Sequence, residues 1–127
     1  MTRASRSLTP GTLRLTEEPL EPSGVVLTVE GELDIATAPE FRTRLNAAVD
    51  AGVSRLVIDL RAVSFLDSVA LATLLQARRR MGDDGRLAVI AAAESYVRLI
   101  FEVAGMPQCI DVFETREQAV THVRQAP

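Results

Sequence analysis

The clearest hydrophobic pattern in the chain is an alternation of apolar and polar residues over positions 25–33. The residues of one face are Val25, Leu27, Val29 and Leu33, and those of the other are Val26, Thr28, Glu30 and Glu32. A period of two is typical of a β-strand with one buried face and one wet or lightly covered face. A shorter alternation around Leu13 and Leu15 predicts an edge strand before it, and the proline-containing segment 17–24 predicts a turn between the two strands.

Segments with helical spacing then alternate with short apolar runs. The runs that predict strands are 55–60, 86–91 and 109–113. The helices are predicted at 37–51, 68–81, 94–104 and 115–123. Capping boxes, at Thr37 with Glu40 and at Thr115 with Gln118, mark two of the helix starts. A strand, a helix and a second strand form a right-handed parallel unit, so the order of elements predicts a single α/β domain at 11–125 after a flexible N-terminal arm at 1–10.

The predicted helix at 94–104 is apolar over more than one face. Its core stripe contains Val97, Ile100 and Phe101, while Leu99 and Val103 fall outside that stripe. The extra width is consistent with burial on two sides or with a partner surface, and we favour core burial.

Polar side chains follow the ends of two predicted strands. Asp34 ends the strand at 25–33, and Asp67 and Ser68 come just before the apolar stripe of the helix at 68–81, so one of these two is the N-cap. Because carboxyl ends of parallel strands meet at one edge of a sheet, we expect the Asp34 carboxylate within reach of the Ser68 hydroxyl, directly or through one water. A helix start also suits a phosphate, although the simplest interpretation of the pair is a cap.

Composition and charge exclude several classes of function. The net charge of -3 and a pI near 5.2 predict no direct nucleic-acid binding, and no apolar run is long enough for membrane insertion. All fourteen basic residues are arginine, which removes lysine chemistry. The single cysteine, Cys109, is predicted to be a buried strand thiol, and the single histidine, His122, has no neighbouring ligands, so we expect no metal and no cofactor. A cytoplasmic location is expected.

Catalytic interpretations lack their required partners. A nucleophilic Ser68 would need a histidine base and a strained G-x-S-x-G turn, and Ser68 is flanked by Asp67 and Val69 instead. Asp59, near the end of a central strand, resembles a phosphoacceptor aspartate, but the acidic pair and the lysine of a receiver domain are missing. The sequence therefore predicts a protein that is not an enzyme, with Asp59 on the lightly covered sheet face or at the strand rim.

Four short motifs in fixed order resemble those of the STAS domain family, specifically its anti-sigma factor antagonists. They are Gly31-Glu32-Leu33-Asp34, Thr37-Ala38-Pro39 with Phe41-Arg42, Val57-Ile58-Asp59-Leu60 and Phe65-Leu66-Asp67-Ser68. The resemblance implies a small mixed sheet of about five strands with about four helices packed mainly on one face. At two positions where the family typically has Ser or Thr and then Gly, this chain has Val69 and Ala70.

The resemblance also implies a function by partner switching. The unphosphorylated protein would bind an anti-sigma factor that is also a serine kinase and so release a sigma factor. Phosphorylation at Ser68 would end this binding until a serine phosphatase acts, with Asp34, Asp67 and Val69 contacting the partner. The alternative is a STAS module of a signalling scaffold or lipid-transport assembly that is never phosphorylated. The resemblance leaves the oligomeric state open between a monomer and a weak dimer.

Overall fold

The computed structural model describes residues 12–125, which form one five-stranded sheet with its strands in chain order. The strands are β1 (Leu13–Leu20), β2 (Gly24–Leu33), β3 (Arg55–Leu66), β4 (Arg86–Ile90) and β5 (Asp111–Phe113). β1 runs antiparallel to β2, and the later neighbours are parallel, so the sheet is mixed as predicted. The predicted arm at 1–10 lies outside the described residues, and the proposed boundary at residue 11 stays a prediction.

Helices cover the two faces of the sheet unequally. Within residues 12–125 they are α1 (Ala38–Asp50), α2 (Ser68–Met81), α3 (Tyr96–Val103) and α4 (Arg116–Arg124). The first three pack on one face and share a single apolar core with it. α4 alone packs on the other face, where Ala119 and Val123 meet a smaller cluster around Val26 and Val57. The prediction of helices mainly on one face is confirmed.

Strand β3 is longer than its apolar run. The strand predicted at 55–60 continues through the more polar residues 61–66, because these stay paired with β2, with Val63 opposite Gly31 and Leu66 opposite Leu33. Two register shifts in this pairing disturb the alternation that would have indicated a strand. The turn between β3 and α2 is therefore one residue, Asp67.

The first predicted turn is also shorter than expected. β1 continues to Leu20, with Pro19 opposite Val25, and the turn is confined to residues 21–23. β1 lies at the edge of the sheet, where a proline without an N–H group is tolerated. The prediction of a turn across 17–24 was therefore wrong in its first half.

One predicted capping box is present and the other is absent. At α4, the Thr115 hydroxyl accepts from Gln118 N (3.1 Å), and the Gln118 side chain accepts from Thr115 N (3.3 Å). At α1, Thr37 is the N-cap but its side chain does not cap the helix. Its hydroxyl instead donates to Glu32 O (2.6 Å) near the end of β2, so the hydroxyl does not form the hydrogen bond of a capping box.

Two burial predictions were wrong. Cys109 is exposed, because a 3₁₀ turn at Met106–Gln108 precedes it and the buried side chains of this segment are Met106 and Ile110. On α3, Leu99 is 56% exposed and Val103 is 78% exposed, so core burial does not explain the apolar width of this helix.

Candidate functional site

The start of α2 lies directly beside the end of β2. Leu33 and Leu66 are register partners at the ends of the two strands, and the Asp67 N–H donates to Leu33 O (3.1 Å). This hydrogen bond continues the pairing of the strands by one residue into the turn. Asp34 and Ser68, each one residue beyond that bond, therefore lie at the same edge of the sheet.

Asp67 is the N-cap of α2. Its backbone is extended, with φ -115° and ψ -176°, and one carboxylate oxygen accepts from Val69 N (3.0 Å) and Ala70 N (3.3 Å). A carboxylate at this position also interacts favourably with the positive end of the helix dipole. Of the two candidates for the cap, the structure selects the aspartate.

Ser68 is left with a free hydroxyl as the first residue of α2. The residue is exposed, and within residues 12–125 its side chain makes no hydrogen bond. The hydroxyl therefore sits at the positive end of a helix of 14 residues and is accessible from solvent. This combination suits the addition of a phosphate, since the helix dipole favours negative charge there.

Asp34 is engaged in its own turn. Its carboxylate accepts from Ala36 N (3.0 Å) and Thr37 N (3.1 Å), which holds the connection between β2 and α1. The residue is half-buried, as are Asp67 and Val69. The expected closeness of the Asp34 carboxylate to the Ser68 hydroxyl stays a prediction, as do the partner contacts of these residues.

Exposed apolar side chains also lie at this edge, and the sequence pattern did not identify them. Ile35, directly after Asp34, is 76% exposed. Phe65, at the end of β3, stacks on Tyr96 at the start of α3, with ring centroids 5.9 Å apart and planes at 15°. In the sequence, Ile35 follows Asp34 directly and Phe65 precedes Asp67 by two positions, but neither placement distinguishes an exposed side chain from a buried one.

Asp59 lies on the α4 side of the sheet and is 6% exposed. Burial raises the pKa of its carboxyl. Hydrogen bonds from the side chain and backbone of Arg61, together with the charges of Arg61 and Arg116, outweigh that effect and leave the pKa of Asp59 below its usual range. The same contact raises the pKa of Arg61. Asp59 is thus a carboxylate held ionised by its neighbours, and of the two places that the sequence left open it occupies the lightly covered sheet face.

His122, the single histidine, has a structural role, and neither a metal site nor a membrane span is found among the described residues. His122 contacts Asp111 (2.7 Å) and packs against the ring of Phe113. In the part of the chain that the structure describes, no group of three or more His, Cys, Asp or Glu side chains could hold a metal ion. Over the same residues, none of the helices is both long and apolar enough to span a membrane.

Comparison with known proteins now assigns the fold to a family. The model of the STAS domain matches residues 16–119. The chain belongs to the STAS domain family. RsfB, an anti-sigma-F factor antagonist of Mycobacterium tuberculosis, is 33% identical to this STAS protein over 99 residues, which cover 78% of the chain and 80% of RsfB.

Solved structures agree with this assignment. An anti-sigma factor antagonist from Mycobacterium paratuberculosis has a TM-score of 0.85 and 30% identity to this STAS domain, covering 92% of the chain and 98% of the antagonist. The phosphorylated form of SpoIIAA, a Bacillus cell fate determinant, has a TM-score of 0.64 and 24% identity, covering 87% and 100% of the two chains. The second likeness shows the STAS fold alone. The predicted family is confirmed, and the role of Ser68 stays a prediction.

Proposed function

We propose that this chain is an anti-sigma factor antagonist that works by partner switching. Its unphosphorylated form binds an anti-sigma factor with serine-kinase activity and thereby releases a sigma factor. That kinase phosphorylates Ser68, which ends the binding, and a serine phosphatase restores it. The observation that carries this proposal is the exposed, unbonded Ser68 hydroxyl at the start of α2, next to a helix cap that does not need it.

The class of partner is supported by the relatives. RsfB and the antagonist from M. paratuberculosis are 33% and 30% identical to this chain, and both carry the name of anti-sigma factor antagonists. SpoIIAA, which shares the fold, has a phosphorylated form. In this proposal the chain acts in the cytoplasm by binding alone, without catalysis, cofactor or contact with nucleic acid.

The direction of the switch follows from charge and size. A phosphate on Ser68 would add about -1.5 to -2 charges beside Asp67 and at the edge that also contains Asp34. A surface that fits a neutral hydroxyl would then meet added bulk and repulsion. The start of α2 itself tolerates the phosphate, because the positive end of the helix dipole favours an anion there. Phosphorylation should therefore change the binding surface and leave the fold intact.

The test is phosphate transfer to three purified proteins: wild type, Ser68→Ala and Ser64→Ala. Ser64 is a matched control, an exposed serine near the end of β3. Each protein is incubated with labelled ATP and an extract of the native host. We expect label on wild type and Ser64→Ala and none on Ser68→Ala.

Two results would overturn the proposal. Equal label on Ser68→Ala and wild type would place the phosphate elsewhere. No label on any of the three, in an extract shown to phosphorylate other substrates, would favour the STAS interaction module that is never phosphorylated.

A further inference from the structure

A strip of exposed apolar side chains, which we name the α3 strip, joins the end of β3 to the outer face of α3. It consists of Phe65, Tyr96, Leu99 and Val103, which are 38%, 45%, 56% and 78% exposed. The stacked rings of Phe65 and Tyr96 connect the two elements, so the four side chains form one surface.

Helix α3 is apolar on two sides, and only one side is covered. Val97 and Phe101 face the core and are 1% and 0% exposed. The strip residues of α3 follow the spacing i, i+3 and i+7, which is a second stripe along the helix. Burying one stripe is enough to hold a helix against a sheet, so a second exposed stripe of aromatic and aliphatic side chains is typical of a surface covered by another molecule.

The charges of α3 do not interrupt the strip. Arg98 pairs with Glu102 (3.3 Å) one turn away, and Arg98 also donates to Ala91 O (3.3 Å). These contacts keep the two charged side chains of the helix engaged with the protein itself. The strip therefore offers a partner apolar and aromatic contact without an intervening unpaired charge.

The strip is continuous with the edge that contains Ser68. Phe65 precedes Ser68 by three positions. Within residues 12–125, the large apolar side chains that are exposed are those of the strip and Ile35, which follows Asp34 at the same edge. In this part of the chain, the exposed large apolar side chains are thus confined to the Ser68 edge and the helix that leads away from it.

We infer that the α3 strip is a docking surface for the anti-sigma factor, and this inference rests on the proposed function. The partner presents an apolar ridge to the strip while another part of its surface contacts Ser68. Aromatic residues in the middle of an interface commonly contribute most to affinity, and Phe65 with Tyr96 occupies that place between Ser68 and Val103. The strip supplies affinity, and Ser68 supplies the switch.

A second copy of the chain is a poorer occupant than the anti-sigma factor. Stable interfaces bury about 800 Å² on each partner, far more than four partly exposed side chains can provide. The strip reaches such a size only as part of an interface that extends across the Ser68 edge. That is the surface which the proposed partner already uses.

The test compares Leu99→Asp and Val103→Asp with wild type. Both residues are exposed, and Leu99→Ser or Val103→Ser replaces the corresponding aspartate variant if thermal unfolding shows that the latter has lost stability. The control is Thr121→Asp, which adds the same charge at an exposed residue of α4, on the opposite face of the sheet. The probes are the purified kinase-domain anti-sigma factors of the host, each titrated against wild type by calorimetry.

We expect both strip variants to bind the factor at least tenfold more weakly than wild type and the Thr121→Asp control to bind within twofold. In the kinase reaction, the strip variants should raise KM for phosphorylation of Ser68 by a similar factor and leave kcat unchanged, because docking is remote from the hydroxyl.

Three results would overturn the inference, and they are distinguishable. If a factor binds wild type and both strip variants equally, the strip is not its docking surface and the proposed function stands. If none of the factors binds wild type, the proposed function fails and the inference fails with it. If wild type self-associates in sedimentation and the strip variants are monomeric, a second copy covers the strip.

Discussion

The first turns of α2 and α4 differ in how side chains accept hydrogen bonds from their backbone N–H groups. At α4, Thr115 and Gln118 close a reciprocal capping box, and Arg116, the first residue of the helix, pairs with Glu18 of β1 (2.5 Å). At α2, Asp67 alone accepts from two backbone N–H groups, and the first residue of the helix, Ser68, has no partner within residues 12–125. At the start of α4 the capping side chains and the first residue are all paired, whereas at the start of α2 the Ser68 hydroxyl has no hydrogen-bond partner among the described residues.

This difference separates stability from recognition. Side chains that hydrogen-bond to a helix start contribute about 1 kcal/mol to folding, and both helices have them. The Ser68 hydroxyl makes no such contribution, so changes there should alter binding and leave stability nearly constant. Substitutions at the start of α4 should lower the free energy of unfolding and leave binding nearly constant.

The largest expected effect is that of Ser68→Glu on binding. We expect affinity for the anti-sigma factor to fall at least about 100-fold, or about 2.7 kcal/mol, because a carboxylate replaces the neutral hydroxyl in the interface. The free energy of unfolding should change by less than about 0.5 kcal/mol, since an acidic residue is favourable in the first turn of a helix. Calorimetric titration and urea unfolding measure the two quantities.

The control for this variant is Ser64→Glu, which places the same charge on an exposed residue of β3. Weak binding that coincides with loss of cooperative unfolding in Ser68→Glu would contradict the separation of the two roles.

Asp59→Asn is expected to lower stability without affecting binding. The carboxylate accepts from Arg61 Nε (3.0 Å) and Nη2 (2.8 Å), and loss of these charge-assisted bonds should cost about 1.5 kcal/mol near neutral pH. Because the folded state lowers the pKa of Asp59, its contribution is present above the unfolded value of 3.8 and is lost as pH falls through the folded value.

The difference in unfolding free energy between wild type and Asp59→Asn should therefore shrink below about pH 4. Urea titrations at pH 7 and pH 3 provide the comparison. A difference that stays constant between these two pH values would show that ionisation of Asp59 is not what stabilises the fold.

Loss of either cap should have a similar effect on stability and a different effect on binding. We expect Asp67→Ala and Thr115→Ala each to cost about 1 kcal/mol, because each leaves N–H groups at a helix start unpaired. Only Asp67→Ala should also weaken binding of the anti-sigma factor, since Asp67 adjoins Ser68. Thermal unfolding and titration of both variants, side by side, measure this. Equal binding by the two would remove Asp67 from the interface.

The elements that the sequence predicts correctly are those whose pattern is set by their own residues. The alternation at 25–33 identifies β2 to within one residue, and the apolar stripe after Asp67 gives α2 its observed range of 68–81. The capping box at Thr115 is equally local, because both of its hydrogen bonds join residues three apart. Periodicity and capping suffice where no distant group competes.

Two of the predictions that were wrong concern residues whose partners belong to another element. The Thr37 hydroxyl donates to Glu32 O at the end of β2 instead of capping α1. Residues 61–66 are held in β3 by pairing with β2 through a bulged register. Local pattern does not reveal either contact, because both depend on where β2 ends.

The candidate site was predictable in its polar part and not in its apolar part. Asp67 and Ser68 mark a helix start in the sequence, and the order of strands brings Asp34 to the same edge. Leu99 and Val103, by contrast, were assigned to the core, because apolar spacing identifies a stripe without telling which stripes are covered. Exposure of a stripe is decided by the packing of α3 against the sheet.

The smallest expected effect is that of Ser68→Ala, and it is the most direct test of the free hydroxyl. The variant keeps the Asp67 cap and removes an atom without a hydrogen bond within residues 12–125, so the free energy of unfolding should change by less than about 0.5 kcal/mol. Binding of the anti-sigma factor should stay within about threefold of wild type, because the interface accepts a small neutral side chain. A loss of stability close to that of Asp67→Ala would mean that Ser68 is part of the cap, and the contrast between the two helix starts would disappear.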